Sequence, residues 1–420
     1  MGERIHGVKG TRVLLPPASS VWAAVEATAR RVFSRYGFGE IRTPIIEHTE
    51  LFERSVGESS DIVGKEMYTF EDRKGRRLSL RPEGTAPVVR ALVEEGLAAA
   101  ELPRRLYYMG PFFRYERPQR GRYRQFHQIG AEILGDPGPL SDAELISMLM
   151  RFLGELGHVG LEVLINTVGD TASRRAFRQA LVDYLEPQRA RLSPESRQRL
   201  DSNPLRILDS KSAADRDILE AAPRLEQHLS SASREHFDAV LAALTERGIN
   251  ATRAPRLVRG LDYYTRTVFE IVSSELGAQD AIVGAGRYDD LIAELGGPDL
   301  PAIGFAIGED RLIETLPPDF VRAHTDEAGV MLVPIGDGCA VAALGLAERL
   351  RDAGRTVVLE SPAWGLKRSL RRADRLDVRH VLLLGEDELA RSAVTLRDLD
   401  SGEQRTLATG ELLAELEERS

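Results

Sequence analysis

Trp22, Val25, Ala29, Val32, Phe33 and Tyr36 recur every three or four residues through "VWAAVEATARRVFSRY", and Gly37 follows. That spacing predicts one amphipathic helix and its stop. "GEIRTPIIE" predicts a strand with Pro44 inside it. Proline cannot donate to a ladder, so the strand belongs at an edge or an interface. "RLSLRPEG" predicts a strand running into a helix, with Thr85 as cap, Pro87 in the first turn and Gly96 at the end. "RRLYYMGPFFRYER" and "RYRQFHQIGAEILG" predict two strands joined by a Pro-Gln-Arg-Gly turn. Residues 170–250 turn helical and polar and read as an insertion. Strand patterns resume at "RTVFEIVSS" and "PAIGFAIG", and "LPPDFVRAHTDEAG" reads as a linker. Beyond it, "VMLVPIG", a helix over 340–351, "RTVVLES", a helix from about Gly365 and "HVLLLG" alternate. They predict a small α/β domain with a largely parallel sheet. The expected division is 1–325, carrying the insertion, and 328–420.

Composition narrows the class. The chain has 420 residues, 42% hydrophobic and 29% charged, with a formal net charge of −9. That is an ordinary globular make-up for two or three domains. Cys339 is the one cysteine, which excludes a disulfide framework and suits a reducing, cytoplasmic setting. No run approaches the roughly 20 apolar residues that span a bilayer, so no membrane association is expected. "MGERIHGVKG" lacks the apolar stretch of a signal peptide.

Against that acidic background, "RYERPQRGRYRQFHQ" packs five arginines into fifteen residues. Side chains alternate along a strand. Arg124, Phe126, Gln128, Gly130 and Glu132 therefore share one face of the second strand, and Gly110, Phe112, Arg114 and Glu116 one face of the first. Arg, Gln and Glu among bare glycines make a poor core and a good floor for a small polar ligand. Arginine's planar fork grips phosphate with two hydrogen bonds, which lysine does not do. Phe126 offers a flat surface to a base. The plainer reading of the same charges is a solvated hairpin.

"FFRYERPQRGRYRQFHQIGAE" resembles motif 2 of the class II aminoacyl-tRNA synthetases in the version of the histidyl-tRNA synthetase family. "LVRGLDYYTRTVFE" resembles that family's signature loop, "GFAIGEDRL" motif 3 and "GFGEIRTPIIE" motif 1. "LRPEGTAPVVR" and "GAGRYDDL" also match family segments, and the resemblance runs over nearly the whole chain. Val13, Ala285 and Asp290 depart from the usual pattern. The resemblance implies an α+β catalytic core with an antiparallel sheet and flanking helices, a helical insertion, and a C-terminal α/β anticodon-binding domain. It implies a homodimer formed through motif 1. It implies ATP-dependent activation of L-histidine and transfer to tRNA(His), with Mg2+ accompanying the ATP and no protein metal cage.

By the same resemblance, Arg259 and Arg114 are catalytic at the α-phosphate. Glu83, Gly84, Thr85, Gln128, Glu132, Tyr263 and Tyr264 hold histidine. Arg114, Glu116, Arg122, Phe126 and Arg311 hold ATP. Gln119 and Arg120 contact tRNA, as do Lys367, Arg371 and Arg375, which stand one helical turn apart with Leu366 and Leu370 expected to face inward. Two other readings fit parts of the pattern. One is a silent, histidine-binding regulatory paralogue. The other is a synthetase of sister specificity. The motif arginines with the C-terminal domain oppose the first, and the tyrosine pair with Glu83 and Glu132 opposes the second.

Overall fold

The computed structural model describes residues 5–57, 60, 62–99, 101–117, 122–210, 212–257, 263–273, 281–325, 329–376 and 378–418. The chain forms two compact units, Met1–Leu14 with Val21–Phe320, and Leu15–Ser20 with Val321–Ser420.

The strands of the first unit are β1 (Gly39–Glu40), β2 (Ile46–His48), β3 (Thr69–Glu71), β4 (Arg77–Leu80), β5 (Arg104–Phe113), β6 (Gln125–Leu134), β7 (Leu161–Thr167), β8 (Ala251–Arg253), β9 (Thr265–Ser273), β10 (Val283–Arg287) and β11 (Ala302–Gly308). An eight-stranded sheet runs β1-β5-β6-β11-β10-β9-β7-β8, and a small one runs β2-β4-β3. The large sheet is antiparallel throughout its middle, and only the edge strands β1 and β8 pair parallel.

"GEIRTPIIE" is two strands, not one. Ile41 still donates its N–H to Tyr107 O at 2.8 Å. Pro44 has no N–H to continue the ladder, and the chain crosses to the small sheet as β2. Both pieces lie at sheet edges, as the proline required.

The helix Ala18–Arg35 buries Val21, Trp22, Val25, Ala29, Val32 and Phe33. Phe33 meets Tyr107, Phe152 and Phe305 edge-on, with ring centroids 5.5–5.8 Å apart. These contacts place the helix against the face of the large sheet that carries Tyr107 and Phe305. Phe33→Ala would cost about 3–5 kcal/mol. Tyr36 falls just past the helix, and its hydroxyl accepts from Arg151 Nε at 3.2 Å.

The helices Thr171–Leu185, Pro194–Ser202, Ala213–Glu220 and Ser231–Glu246 lie between β7 and β8. Asp170, Ser193 and Ser230 cap three of them through side-chain oxygens. Leu181, Leu185, Leu192, Leu200, Ile207, Ile218 and Leu219 give this polar-looking stretch a core of its own. The expected linker is partly a helix, Pro318–Thr325. Pro318 opens it, and a proline at the first helical position sacrifices no intrahelical bond.

The second unit adds β12 (Val330–Pro334), β13 (Val357–Leu359), β14 (His380–Leu384), β15 (Ala393–Asp398) and β16 (Gln404–Ala408), in the order β13-β12-β14-β15-β16. Only β13, β12 and β14 are parallel, whereas β15 and β16 add an antiparallel hairpin. Its turn is closed by Asp398, which accepts from Asp400 N and Ser401 N. Val330 and Leu332 enter one core while Met331 and Val333 enter another. A strand buried on both faces reads as a continuous apolar run.

Candidate active site

The β5–β6 register sets Phe112 beside Phe126, Gly110 beside Gln128, Tyr108 beside Gly130 and Leu106 beside Glu132. The expected shared face forms for Gly110, Phe112, Phe126, Gln128, Gly130 and Glu132, whereas Arg114, Glu116 and Arg124 lie past the ends of the two strands. Its glycines, however, make room for the protein's own side chains. A Cβ at Gly130 would lie 2.3 Å from Tyr108 Cζ, and one at Gly304 would lie 1.5 Å from Glu132 Oε2.

One end of this floor is acidic and closed. Glu83 accepts the N–H groups of Thr85 at 2.7 Å and Ala86 at 2.9 Å. It thereby caps the helix Thr85–Glu94, the task expected of Thr85. Thr85 instead donates its hydroxyl to Glu132 Oε1 at 2.8 Å, and Tyr288 donates to Glu132 Oε2 at 2.6 Å. Gly84 admits the Tyr108 ring, since a Cβ there would lie 2.2 Å from it. Burial raises the Glu83 carboxyl above its usual range, although the two N–H groups oppose the shift. Burial pushes Glu132 up to about 8, against the hydrogen bonds from Tyr288 and Thr85. Tyr263 stacks obliquely on Tyr264 at 4.9 Å and edge-on to Tyr288 at 5.6 Å. Two buried polar atoms here, Tyr108 Oη and Gln128 Oε1, lack a hydrogen-bond partner among the described residues. Such atoms are costly unless something completes them. Two buried carboxyls with unsatisfied polar groups beside aromatic rings fit a small cation that also carries hydrogen-bonding groups.

The other end is basic and open. Arg114 Nε donates to Pro82 O at 2.9 Å, and its guanidinium lies 5.3 Å from the Phe126 ring centre. Glu116 stands 4.0 Å from Arg114 Nη1 and 3.7 Å from Arg122 Nη1. Arg311 is the third residue of the helix Glu309–Glu314, directly after β11, where Glu309 and Asp310 occupy the first turn. The Asp310 carboxylate suits that position and offsets the arginine's conflict with the helix dipole. Arg259, Gln119 and Arg120 lie outside the described residues. Among the described residues no three His, Cys, Asp or Glu are grouped as metal ligands.

In the second unit, Lys367, Arg371 and Arg375 are exposed along the helix Leu366–Arg375. With Gly365, Leu366 and Arg368 they line an open groove of about 570 Å³. Arg368 and Arg372 lie over the Trp364 ring at 4.0 and 5.4 Å. Leu366 is exposed rather than turned inward, and Leu370 is half-buried. Ser369 and Ala373 take the inner face. Their small side chains let the helix approach the sheet closely.

A family model described as histidyl-tRNA synthetase matches residues 10–312, and one described as an anticodon binding domain matches 329–419. The chain belongs to the histidyl-tRNA synthetase family. It is 48% identical to the histidine--tRNA ligase of Synechococcus elongatus over 97% of this chain and 94% of that one. It is also 48% identical to that of Nitratidesulfovibrio vulgaris, over 99% of each. The crystal structure of apo S. aureus histidyl-tRNA synthetase superposes with a TM-score of 0.79 at 34% identity, over 98% of this chain and 99% of that one.

Within this synthetase-family core, several residues at or beneath the site escaped the sequence reading. Tyr288 sits in "GAGRYDDL". Its neighbour Arg287 is fully buried and pairs with Asp142, while donating to Asp136 O at 2.8 Å and Gly138 O at 3.0 Å. His236, from the insertion, meets Asp142 Oδ2 at 2.8 Å. Burial alone would raise Asp142, but His236 and Arg287 outweigh it and hold the carboxyl low. Asn166 donates to Pro255 O at 3.3 Å and Leu257 O at 3.0 Å, and Arg174 donates to Tyr264 O. The one signal available was charge inside otherwise apolar runs: Arg287 in β10 and Asp142 among the apolar positions of its helix.

Proposed function

We propose that the closed acidic end holds histidine and the open basic end holds ATP. The carrying observation is the pair of buried carboxyls, Glu83 and Glu132, tied to Thr85 and Tyr288 beside the unsatisfied atoms of Tyr108 and Gln128. Glu83, with Gly84 and Thr85, receives the substrate ammonium. Gln128, Glu132, Tyr263 and Tyr264 surround its side chain. Arg114 and Arg259 act at the α-phosphate, Phe126 supports the adenine, and Glu116, Arg122 and Arg311 serve the rest of the nucleotide. Magnesium enters as the ATP complex, carried by the phosphates.

The reaction is that of a histidine--tRNA ligase. A histidine carboxylate oxygen attacks the α-phosphorus, a new P–O bond forms, and the bridging oxygen leaves with diphosphate. A hydroxyl of the tRNA's terminal ribose then attacks the acyl carbon, and AMP leaves. Phosphoryl transfer of this kind is mostly positioning and charge stabilisation. Residues 1–325 carry this chemistry around the insertion at 170–250. Residues 328–420 meet tRNA(His) through Lys367, Arg371 and Arg375, and Gln119 with Arg120 meet it from the motif 2 turn.

The working form is a cytoplasmic homodimer. Exposed Ile45 and Ile46 at an edge strand support a second copy at motif 1. Sedimentation should give twice the 46.4 kDa chain mass. The activity is tested by ATP–diphosphate exchange with each standard amino acid supplied singly. Exchange with histidine alone is the expected result, and exchange driven by any other amino acid overturns the assignment.

A further inference from the structure

Asp310 precedes Arg311 and is almost fully buried. Its two oxygens serve different parts of the fold. Oδ2 accepts the backbone N–H of His127 at 2.8 Å, and Oδ1 accepts Arg12 Nη2 at 2.5 Å. The β6–β11 ladder ends with Gln128 beside Gly308, after which β11 gives way to the helix Glu309–Glu314. Asp310 therefore supplies the acceptor that the ended strand no longer gives to β6.

Arg12 is held as firmly. Its guanidinium lies over the Tyr123 ring at 4.4 Å and the Trp22 ring at 5.3 Å, and Nη1 donates to the Tyr123 hydroxyl at 3.3 Å. Two residues earlier, Gly10 O accepts Arg124 N–H at 2.8 Å. Gly10 has φ +88°, and a Cβ there would lie 2.8 Å from Arg124 Cγ. This approach needs glycine for both reasons. The N-terminal segment thus grips the returning strand of motif 2 and the first turn of motif 3 together.

Those two elements carry the proposed ATP contacts, Phe126 on one and Arg311 on the other. We propose that Arg12 is a positioning residue for the nucleotide: through Asp310 it fixes motif 2 against motif 3, so that Phe126 and Arg311 make one slot. The inference rests on the ATP assignment above. Arginine suits the task because one planar group both bonds Asp310 and lies over two rings.

The test measures ATP affinity by calorimetry, and both Michaelis constants by histidine-dependent exchange, on the full chain. Arg12→Ala and Asp310→Asn should each weaken ATP on the order of ten-fold, the scale of a small misplacement, with the histidine constant within about two-fold. The double variant should be no worse than either single one, because both remove the same link. Arg12→Lys should recover part of the loss. Should Arg12→Ala fail to fold, Arg12→Lys and Asp310→Asn read the same effect. ATP constants unchanged in folded variants, equal losses for both substrates, or losses that multiply in the double variant would each overturn the proposal. Arg311→Ala separates the two levels: an unchanged ATP constant there removes the ATP assignment itself.

Discussion

The two ends of one sheet face solve opposite problems. At the closed end, proposed to hold histidine, Glu132 is fully buried and Glu83 nearly so, and both carboxyls are raised. At the open end, proposed to hold the phosphates, the Arg114 and Glu116 side chains are about one-fifth exposed and Arg122 more than half. The closed end desolvates its groups before any ligand arrives, so only a ligand that completes them binds well. A site of that kind rejects analogues by leaving buried groups unpaired. The open end leaves Arg122 hydrated and trades selectivity for charge. In the proposed assignment, choice of amino acid and grip on phosphates come from neighbouring residues on and beside β5 and β6.

Substitutions can break this contrast. The largest effect is expected for Arg114→Ala, which should lower histidine-dependent exchange on the order of 10³-fold, the scale of losing one preorganised charged donor. Glu132→Gln should lower kcat/KM for histidine on the order of 10²-fold and leave the ATP constant within about two-fold, because it removes the group that can ionise to face a bound cation in a desolvated site. If both constants move together, the two ends are not separate. Replacing Lys367, Arg371 and Arg375 together by alanine should raise the KM for tRNA about ten-fold and flatten its salt dependence. Exchange should stay unchanged, since it needs no tRNA.

The smallest effect concerns Glu309, which is fully buried with neither oxygen hydrogen-bonded among the described residues. Burial first, then Glu26 and Asp310, push it from 4.5 to about 9. Its neutral form stabilises the fold fully below the unfolded value, and that contribution is lost as pH rises toward 9. Glu309→Gln should therefore gain a few degrees in melting temperature over wild type between pH 6 and pH 9. Parallel melting curves across that range would show that Glu309 ionises freely in the fold.

The face shared by Gly110, Phe112, Phe126, Gln128, Gly130 and Glu132 was legible because period-two alternation survives in β5 and β6. The doubly buried strands of the second unit were legible as apolar runs. Other features depend on partners far along the chain. Pro44 marked an edge but not the change of sheet, which shows only once β4 lies beside β2. Gly130 looked like space for a ligand, because nothing local says that Tyr108 fills it. The capping of Thr85–Glu94 passed to Glu83 because Thr85 has a better acceptor in Glu132, forty-seven residues away.

The most direct test of the central claim is the number of protons released when histidine binds at pH 7. Calorimetry in buffers of different ionisation heat measures it. With Glu132 near 8 in the free protein, the group is largely protonated at pH 7, and the histidine ammonium proposed at neighbouring Glu83 draws it toward the carboxylate. Wild type should release protons on binding, and its affinity should rise with pH up to about 8. Glu132→Gln should release fewer and show a flatter pH profile. Equal proton release by the two proteins, or none by wild type, would contradict the account.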